Sequence, residues 1–310
     1  MYKLSEVISV CIPIYNFDVT PLVETLLNQI NDLSCICEIV LIDDFSDEKF
    51  RAVNRKLKDK VHYIELKKNM GRSCIRNLFL DYATHDYLLF LDCDSLVESP
   101  DFLKTYSEYI RQHHQKVVCG GRIYEAKRPG REKMLRWKYG LKKESQPVEE
   151  RSKHPNNSFM TNNFLIHKQV FLEIKFNEQL SEYGHEDTLF GYELKKKQIT
   201  VVHIDNPIVN GDIEENALYI EKTKKGIANL VLILSFIDDK QAFMNDVSLL
   251  RFYSKVEKLA SLIRFVFRLS KPLILKTLKS GYINLQLFDF YKLGTLAEFL
   301  GYPTIELKEG

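Results

Sequence analysis

The alternation of strand-like and helix-like segments along the first third of the chain limits the folds that this sequence can adopt. Helical spacing of apolar residues begins after Thr20 and Pro21 and recurs between the apolar runs. Four short apolar runs have the length and composition of buried strands: Val7–Ile14, Glu38–Ile42, Val61–Leu66 and Tyr87–Leu91. This strand–helix repeat predicts right-handed crossovers and an α/β fold, with a mostly parallel central sheet flanked by helices.

Composition narrows the class of protein. The chain has 310 residues, of which 45% are hydrophobic, so disorder is excluded as the main state. Lys and Arg total 44 and Asp and Glu total 42, and the net charge of +2 predicts no nucleic-acid partner. No stretch reaches about 18 uninterrupted apolar residues, so we expect no membrane span. The N-terminal residues include Lys3 and Glu6, so we expect no secretion signal.

The cysteines do not have the spacing of a zinc site. No CxxC pair occurs among the six, which are Cys11, Cys35, Cys37, Cys74, Cys93 and Cys119. Structural zinc usually takes closely spaced pairs of thiolates. We therefore expect reduced thiols in a cytoplasmic protein.

Polar residues follow the predicted strands at the point where each strand ends. Tyr15 and Asn16 follow the first strand, and Asp43 and Asp44 follow the second. Ligands of such sheets collect at the carboxyl ends of the strands. Neither GxGxxG nor GxxxxGK[ST] occurs in the sequence, which disfavours a dinucleotide-binding dehydrogenase and a P-loop enzyme.

Asp92 and Asp94 stand one residue apart directly after the fourth predicted strand. Residues i and i+2 of a strand face the same side. Mg²⁺ and Mn²⁺ accept carboxylate oxygens and share their coordination shell with substrate phosphates. Aspartates also end strands and cap turns, so the pair alone does not decide between a metal site and a turn. The neighbouring strand-end carboxylates favour a Mn²⁺ or Mg²⁺ site.

Four segments resemble the family 2 glycosyltransferases in their order and spacing. They are Ser9–Asn16, Val40–Ser46, Asn69–Gly71 with Arg76 and Asn77, and Leu91–Asp94. The resemblance implies the GT-A fold and an enzyme that transfers a sugar from a nucleoside diphosphate, usually UDP, with inversion at the anomeric carbon.

The resemblance also implies roles for the residues at the strand ends. Tyr15 would stack on the uracil, and Asp44 would accept a hydrogen bond from it. Asp92 would lie near the ribose and the donor sugar, and Asp94 would hold the metal that bridges the diphosphate. The predicted donor-binding set is Pro13, Tyr15, Asn16, Asp44, Asn69, Gly71, Arg76, Asp92 and Cys93.

The helix that opens at Gly71 offers a second phosphate site, because a helix N-terminus presents free N–H groups and a partial positive charge. Arg72 and Arg76 are four residues apart and share one face of this helix. From the residues alone, each arginine either reaches a phosphate or an aspartate, or is a solvated surface arginine.

The stretch Gly184–Leu194 resembles the catalytic ED motif of inverting GT-A enzymes. The resemblance implies that Asp187 is the general base and that Glu186 orients the acceptor or a donor-sugar hydroxyl. Carboxylates in a first helical turn also suit the helix dipole, so a capping role remains the alternative. The predicted acceptor or sugar-binding set is Asn162, Asn163 and His185; the two amides equally suit a turn.

One departure from the family pattern concerns the metal. Relatives with this motif often carry a histidine in an NPVIHLG-like segment, whereas this chain reads NPIVNG and has Asn210 at that position. An amide oxygen is a poorer ligand than imidazole for Mn²⁺ but is acceptable to Mg²⁺. A non-catalytic nucleotide-sugar-binding subunit therefore remains an alternative. A nucleotidyltransferase is a third, although the expected Gly-rich basic phosphate loop is missing.

Organisation along the chain predicts a GT-A catalytic domain at 1–214 and a helical region at 215–310. Between Arg251 and Ser280 an apolar stripe is flanked by eight basic residues and one acidic residue. This pattern suits an anionic membrane surface, where a lipid-linked acceptor would lie, and it equally suits packing on the catalytic domain or on another subunit of a homo-oligomer. We expect a saccharide or lipid-linked acceptor, and a protein in the cytoplasm or peripheral on the inner face of the membrane.

Overall fold

The computed structural model of the chain describes residues 7–31, 36–180 and 183–301. Lys3, Glu6 and Cys35 lie outside the described residues. The other five cysteines are free thiols, as the sequence predicts.

Two sheets form within the described residues. The large sheet has seven strands in the order β3-β2-β1-β4-β8-β6-β9, and the small sheet has three in the order β5-β10-β7. The strands are β1 (Val7–Ile14), β2 (Ile36–Asp43), β3 (His62–Glu65), β4 (Tyr87–Leu91), β5 (Ser95–Leu96), β6 (Val117–Cys119), β7 (Arg122–Ile123), β8 (Asn163–His167), β9 (Val202–His203) and β10 (Ile208–Asn210). Only β8 runs antiparallel to its neighbours in the large sheet, so the prediction of a mostly parallel sheet is confirmed.

Helices follow most of the strands and then continue alone to the end of the described chain. Short 3₁₀ turns occur at Arg55–Leu57, Arg131–Lys133 and Glu257–Leu259, and a π-helical turn at Gly140–Glu144. The α-helices are α1 (Thr20–Asn31), α2 (Glu48–Asn54), α3 (Arg72–Tyr82), α4 (Phe102–His113), α5 (Met134–Tyr139), α6 (Val148–Lys153), α7 (Lys168–Glu173), α8 (Glu186–Lys196), α9 (Asn216–Phe236), α10 (Lys240–Asp246), α11 (Ser248–Val256), α12 (Ala260–Lys279) and α13 (Leu285–Gly301).

Apolar side chains alternate between the two faces of the large sheet. On β1, Val10 and Ile12 pack on one face against α1 and α4. The intervening Cys11 packs on the other face, together with Phe79 of α3 and Phe190 of α8. Successive strand residues point to opposite faces, and a parallel sheet is normally covered on both. This arrangement explains why the predicted strands are continuous apolar runs rather than alternating ones.

The apolar run at 199–204 contains only a short strand, β9. Only Val202 and His203 form a ladder, because β6 offers them two partners, Val118 and Cys119, and then ends. An apolar run therefore does not show by itself how many of its residues pair with a neighbouring strand.

The described chain divides into two compact units. The first comprises the described residues of Met1–Glu125, Glu144–Ser181 and Glu186–Asp212, and it contains both sheets. The second comprises the described residues of Ala126–Lys143, Glu182–His185 and Ile213–Gly310. Its core includes Tyr219 of α9, Phe267 of α12 and Phe288 of α13. Among the described residues, no helix is both long enough and apolar enough to cross a membrane.

Candidate active site

Hydrogen bonds connect the loop that follows β1 to the loop that follows β2. The backbone N–H of Asn16 donates to Ser46 Oγ at 2.8 Å, and the backbone N–H of Asp47 donates to Asn16 Oδ1 at 2.7 Å. Buried Asp43 accepts the N–H of Ser46 on Oδ1 at 2.7 Å. Asn16 has a φ of 51°, a conformation that asparagine tolerates better than most residues. Tyr15 stands at this junction and is 56% exposed, so its ring is accessible to a planar ligand.

Asp44 closes the N-terminal end of α3. Its Oδ1 accepts the backbone N–H of Met70 at 2.6 Å, and its Oδ2 accepts that of Gly71 at 3.0 Å. Asn69 Nδ2 donates to the backbone oxygen of Asp44 at 3.2 Å. Burial raises the pKa of Asp44, although the two backbone donors offset part of that rise. The sequence predicts that this helix N-terminus binds a phosphate, but in the structure it already binds the carboxylate of Asp44.

Arg76 lies in a buried cluster of ion pairs. Its Nη2 lies 2.9 Å from Asp92 Oδ1, and its Nη1 lies 3.7 Å from Glu186 Oε1. Arg72 Nη1 lies 3.6 Å from the same oxygen of Glu186. The Arg76 guanidinium also lies over the ring of Phe176, 5.7 Å from its centroid. This cluster joins the carboxyl end of β4 to the first turn of α8.

The two carboxylates after β4 have different electrostatic environments. Burial raises the pKa of Asp92, but Arg76 and two further arginines outweigh burial and hold that pKa below its ordinary value. Burial, followed by the charge of Asp92, raises the pKa of Asp94 to about 6. Burial also raises the pKa of the Cys93 thiol to about 12, so this thiol is neutral. Asp94 is therefore the carboxylate in this segment whose ionised form would gain most from a nearby cation.

Asp94 and Asn210 are neighbours across a strand pair. Asn210 of β10 stands opposite Ser95 of β5, and the N–H of Gly211 donates to the backbone oxygen of Asp94 at 3.0 Å. Asn210 Nδ2 donates to the carbonyl of Asp212 at 2.8 Å. In the part of the chain that the structure describes, no hydrogen bond reaches Asn210 Oδ1. The pairing of β5 with β10 thus brings the backbone of Asp94 close to that of Asn210.

This donor set fits a divalent cation in its chemistry, but not as a complete shell. Asp94 and Asn210 supply the oxygen ligands that Mg²⁺ prefers. Across residues 7–31, 36–180 and 183–301 there is no group of three or more His, Cys, Asp or Glu residues that could hold a metal ion. His203 offers no substitute, since its ring nitrogens lie 2.9 Å from Arg151 Nη1 and 2.9 Å from the carbonyl of Pro155. A cation here would need further ligands from a bound diphosphate or from water.

Asp187 lies beside Glu186 in the first turn of α8, as the sequence predicts. Its Oδ1 accepts the backbone N–H of Thr188 at 2.6 Å and the hydroxyl of Thr188 at 3.2 Å. Burial, followed by the charge of Glu186, raises the pKa of Asp187 to about 6. A carboxylate with this pKa is ionised at neutral pH and is a stronger base than an ordinary aspartate.

Asn162 and Asn163 have different environments. Asn163 begins β8, accepts the hydroxyl of Tyr106 on Oδ1 at 2.7 Å and donates from Nδ2 to two backbone carbonyls at 2.9 Å. Asn162 accepts the N–H of Asp92 on its backbone oxygen at 3.3 Å and is 3% exposed. Neither polar atom of its side chain has a hydrogen-bond partner. Buried polar groups normally have one, so Asn162, unlike Asn163, has hydrogen-bonding capacity that the described residues do not use.

His185 belongs to the second unit, whereas Glu186 belongs to the first. Its φ is 67°, and a Cβ atom added to Gly226 would lie 3.6 Å from the imidazole Cδ2. The ring therefore packs beside α9 within the second unit.

Arg122 is a site residue to which the sequence assigned no individual role. Its Nη1 lies 2.9 Å from Glu144 Oε2 and 3.1 Å from the hydroxyl of Tyr124. Its positive charge lowers the pKa of three carboxylates, which are Asp92, Asp94 and Asp187. The sequence shows Arg122 only as one member of a basic segment. Its relation to these carboxylates follows from the pairing of β7 with β10, which no local pattern reveals.

Carboxylates gather at the strand ends of this α/β sheet, which is where such sheets bind their ligands. Residues 9–174 match the family model described as "Glycosyl transferase family 2". This match spans more than half of the chain, and the protein belongs to that family. The predictions of the GT-A fold and of a glycosyltransferase are confirmed, whereas the ED motif stays a prediction.

Two relatives and one solved structure extend the comparison. The chain is 32% identical over 122 residues to an "Uncharacterized glycosyltransferase" of Haemophilus influenzae, covering 36% of this chain and 46% of that protein. It is 30% identical over 115 residues to the "Minor teichoic acid biosynthesis protein GgaB" of Bacillus subtilis, covering 35% and 12%. The chain thus spans less than half the length of either curated relative.

The mannosyltransferase PcManGT from Pyrobaculum calidifontis, solved in complex with GDP-Man and Mn²⁺, shares 12% sequence identity with this chain. The likeness covers 96% of this chain and 87% of that one, with a TM-score of 0.60. At this identity the likeness shows the fold alone.

Proposed function

We propose that this protein is an inverting glycosyltransferase that moves a sugar from a UDP-sugar to a hydroxyl of a saccharide or lipid-linked acceptor. The observation that carries the proposal is the meeting of the β4 end with the first turn of α8 through Arg76, Asp92 and Glu186. This contact connects the segment that carries the proposed donor-binding carboxylates with the start of α8, where Asp187 has a raised pKa. Both segments belong to the first unit.

On the donor side, the exposed ring of Tyr15 would stack on the uracil and Asp44 would accept its imide N–H. Asp44 is held in place by two backbone donors, so this acceptor is already oriented. Asp92, fixed by Arg76, would contact the ribose or the donor sugar. Cys93, with its neutral thiol, would line the same strand end without adding charge.

In the transfer step, Asp187 would remove the proton from the acceptor hydroxyl. The acceptor oxygen forms a bond to the anomeric carbon while the bond from that carbon to the diphosphate oxygen breaks, and the electron pair leaves with UDP. A single displacement of this kind inverts the anomeric centre, because a base on the acceptor works opposite the leaving group. Glu186, beside two arginines, would orient a hydroxyl of the acceptor or the donor sugar.

Asp94 and Asn210 would hold the divalent cation, either Mn²⁺ or Mg²⁺. When bound, such a cation supplies positive charge against the departing diphosphate. The mannosyltransferase from Pyrobaculum calidifontis, solved with Mn²⁺ and a nucleotide sugar, supports a metal in this fold. The raised pKa of Asp94 supports the same assignment, because a neighbouring cation would relieve the burial of its charge.

On the acceptor side, the unsatisfied amide of Asn162 is the strongest candidate for binding a sugar hydroxyl. His185 remains a proposed acceptor residue from its place in the chain. A lipid-linked acceptor would place the protein on the cytoplasmic face of a membrane, and a homo-oligomer remains part of this proposal.

Binding of the nucleotide is the first measurement. Thermal stability would be recorded with UDP, GDP, TDP and CMP, each with and without Mn²⁺, because a ligand of the folded state raises apparent stability. UDP-selective, Mn²⁺-enhanced stabilisation is expected. Preference for GDP, the base carried by the donor of the Pyrobaculum neighbour, would contradict the uracil assignment.

The base is tested with Asp187→Asn in a UDP-sugar hydrolysis or transfer assay. The variant should lose at least about 100-fold in kcat while UDP binding stays unchanged, since general-base catalysis contributes this much or more. Asp59→Asn, at an exposed turn, is the matched control. The wild-type kcat/KM should fall at least about tenfold per pH unit below about 6, because protonation of Asp187 removes the base and protonation of Asp94 removes a proposed ligand of the cation. Full turnover by Asp187→Asn would refute the assignment.

A second candidate is a non-catalytic nucleotide-sugar-binding subunit that has lost a metal ligand. It is favoured by the finding that the described residues hold no cluster of three His, Cys, Asp or Glu side chains. Asn210→His distinguishes the two functions. New activity from an inert parent would support the second, whereas an active wild-type protein would exclude it.

A further inference from the structure

Helix α12 carries an exposed apolar stripe that no part of the proposed reaction uses. Each of its five side chains is between 44% and 70% exposed. The α12 stripe consists of Leu262, Phe265, Val266, Leu269 and Leu273. These positions are separated by 3, 1, 3 and 4 residues, which places them on a single helix face, and they extend about 16 Å along the axis, at about 1.5 Å per residue.

The stripe is not the face by which α12 joins its core. Phe267, Ile274 and Leu278 are buried on the other side of the helix, and the ring of Phe267 packs against Gly294 of α13. A Cβ atom at Gly294 would approach that ring too closely, which shows how tight this packing is. The sequence left two hypotheses open for this segment: a helix packed against protein, or a helix that binds a membrane surface. The structure shows α12 to be apolar on both sides, with one side packed and one uncovered in the described chain.

Exposed basic residues are concentrated in α12 and in the segment just before it. Among the exposed residues of 251–280 there are six cations and one acid. The cations are Arg251, Lys255, Lys258, Arg268, Lys276 and Lys279, and the acid is Glu257. Of these cations, Arg268 is held near a carboxylate, Glu298, with Nε 3.8 Å from Oε1. Arg251 Nη1 donates to the backbone oxygen of Asn245 at 2.8 Å, whereas Lys276 and Lys279 are exposed on α12 itself, and their long side chains can extend from the helix toward a surface.

We propose that the α12 stripe docks on an anionic lipid bilayer, with the helix lying in the plane of the interface. The five apolar side chains would enter the boundary between headgroups and acyl chains, and the lysines would contact anionic headgroups. The area removed from water supplies the attraction, and the basic residues select membranes of negative charge.

The charge pattern distinguishes this occupant from a second copy of the chain. In a two-fold symmetric contact the same surface meets itself, so the exposed cations of α12, Arg268, Lys276 and Lys279, would approach their own copies, and α12 contains no acidic residue. Like charges opposed in this way weaken association. An anionic bilayer satisfies both features at once, because it accepts the apolar face and neutralises the basic residues.

Vesicle binding tests the proposal without nucleotide or sugar, so its outcome is independent of the proposed reaction. The purified full chain would be sedimented with phosphatidylcholine vesicles, with and without phosphatidylglycerol, at low and high salt. We expect binding that requires phosphatidylglycerol and weakens with salt. The triple variant Leu262→Ser, Leu269→Ser, Leu273→Ser should bind at least about tenfold more weakly.

Controls separate docking from misfolding. Leu172→Ser replaces a leucine of α7 that is 52% exposed, and it should bind like the wild type. Lys255→Gln, Lys258→Gln and Lys276→Gln together should reduce binding about tenfold and flatten the salt dependence. Wild-type binding by the triple serine variant, or equal binding to neutral vesicles, would overturn the proposal. If the wild-type protein forms a dimer and the triple serine variant is monomeric, the stripe would instead be assigned to contact with a second copy of the chain.

Discussion

At the scale of single residues, the positive charge of Arg76 lies close to two carboxylates and compensates for their loss of contact with water. Its side chain is 3% exposed and reaches Asp92 at 2.9 Å and Glu186 at 3.7 Å. Asp92 keeps a pKa below its ordinary value because Arg76 and its neighbours outweigh burial. Arg76 therefore holds two segments together and also keeps Asp92 ionised. The same residue type at the surface would do neither.

Replacing Arg76 by Met should lower the free energy of unfolding of the first unit by about 3 kcal/mol, because a buried ion pair that loses one partner leaves an uncompensated charge. Urea denaturation of the variant and the wild type measures the difference. Arg72→Gln is the matched control, since its side chain is 46% exposed and the change should cost less than about 0.5 kcal/mol. Equal losses in the two variants would show that Arg76 has no special place in the cluster.

At the scale of elements, the first turn of α3 depends on a backbone conformation that only glycine adopts easily. Gly71, the N-cap of α3, has φ 82° and ψ 167°. In that conformation its N–H donates to Asp44. The same backbone conformation therefore supports the start of α3 and the position of Asp44, the residue proposed to recognise the base. The start of α3 is therefore set by backbone geometry as much as by side-chain chemistry.

Gly71→Ala should destabilise the protein by about 1–3 kcal/mol, because this region of backbone space is strained for any residue with a Cβ atom. It should also weaken UDP binding, since the contact with Asp44 would be disturbed. Gly130→Ala is the control: its φ of −58° suits alanine, and the added Cβ would meet only the carboxylate of exposed Glu132. Unfolding and nucleotide titrations of both variants test the difference, and equal effects would refute the argument.

Element positions were more predictable than element partners. The strands β1 and β4 begin and end at the predicted residues, because a buried parallel strand is a continuous apolar run bounded by polar residues. The closeness of Asn210 to Asp94 follows from pairing between β5 and β10, two very short strands far apart in sequence. Likewise the reach of Arg76 to Asp92 and Glu186 depends on how α3, β4 and α8 pack. Long-range pairing leaves little trace in local patterns. The family resemblance suggested a shared metal site for Asp94 and Asn210, whereas the sequence predicted no contact between Arg76 and Glu186.

At the scale of the whole molecule, the described chain has two units with separate apolar cores. The first unit has a layer on each face of its large sheet, and the second is built around α9, α12 and α13. The residues proposed for nucleotide and metal lie in the first unit, including Tyr15, Asp44, Asp94 and Asn210. A single free energy of unfolding is therefore not expected to describe the chain, because each core can unfold cooperatively by itself.

Scanning calorimetry with increasing UDP and Mn²⁺ should raise the unfolding temperature of one transition and leave a second nearly unchanged. Ligand at about 100 times its dissociation constant stabilises the form that binds it by about 2.7 kcal/mol, and the proposed ligand residues all belong to the first unit. Asp94→Ala should abolish the part of the increase that requires Mn²⁺ while keeping the part produced by UDP alone. Alanine is preferred to asparagine here, because asparagine retains an amide oxygen that could still bind the cation. A metal-dependent increase that survives in Asp94→Ala would place the cation elsewhere in the protein.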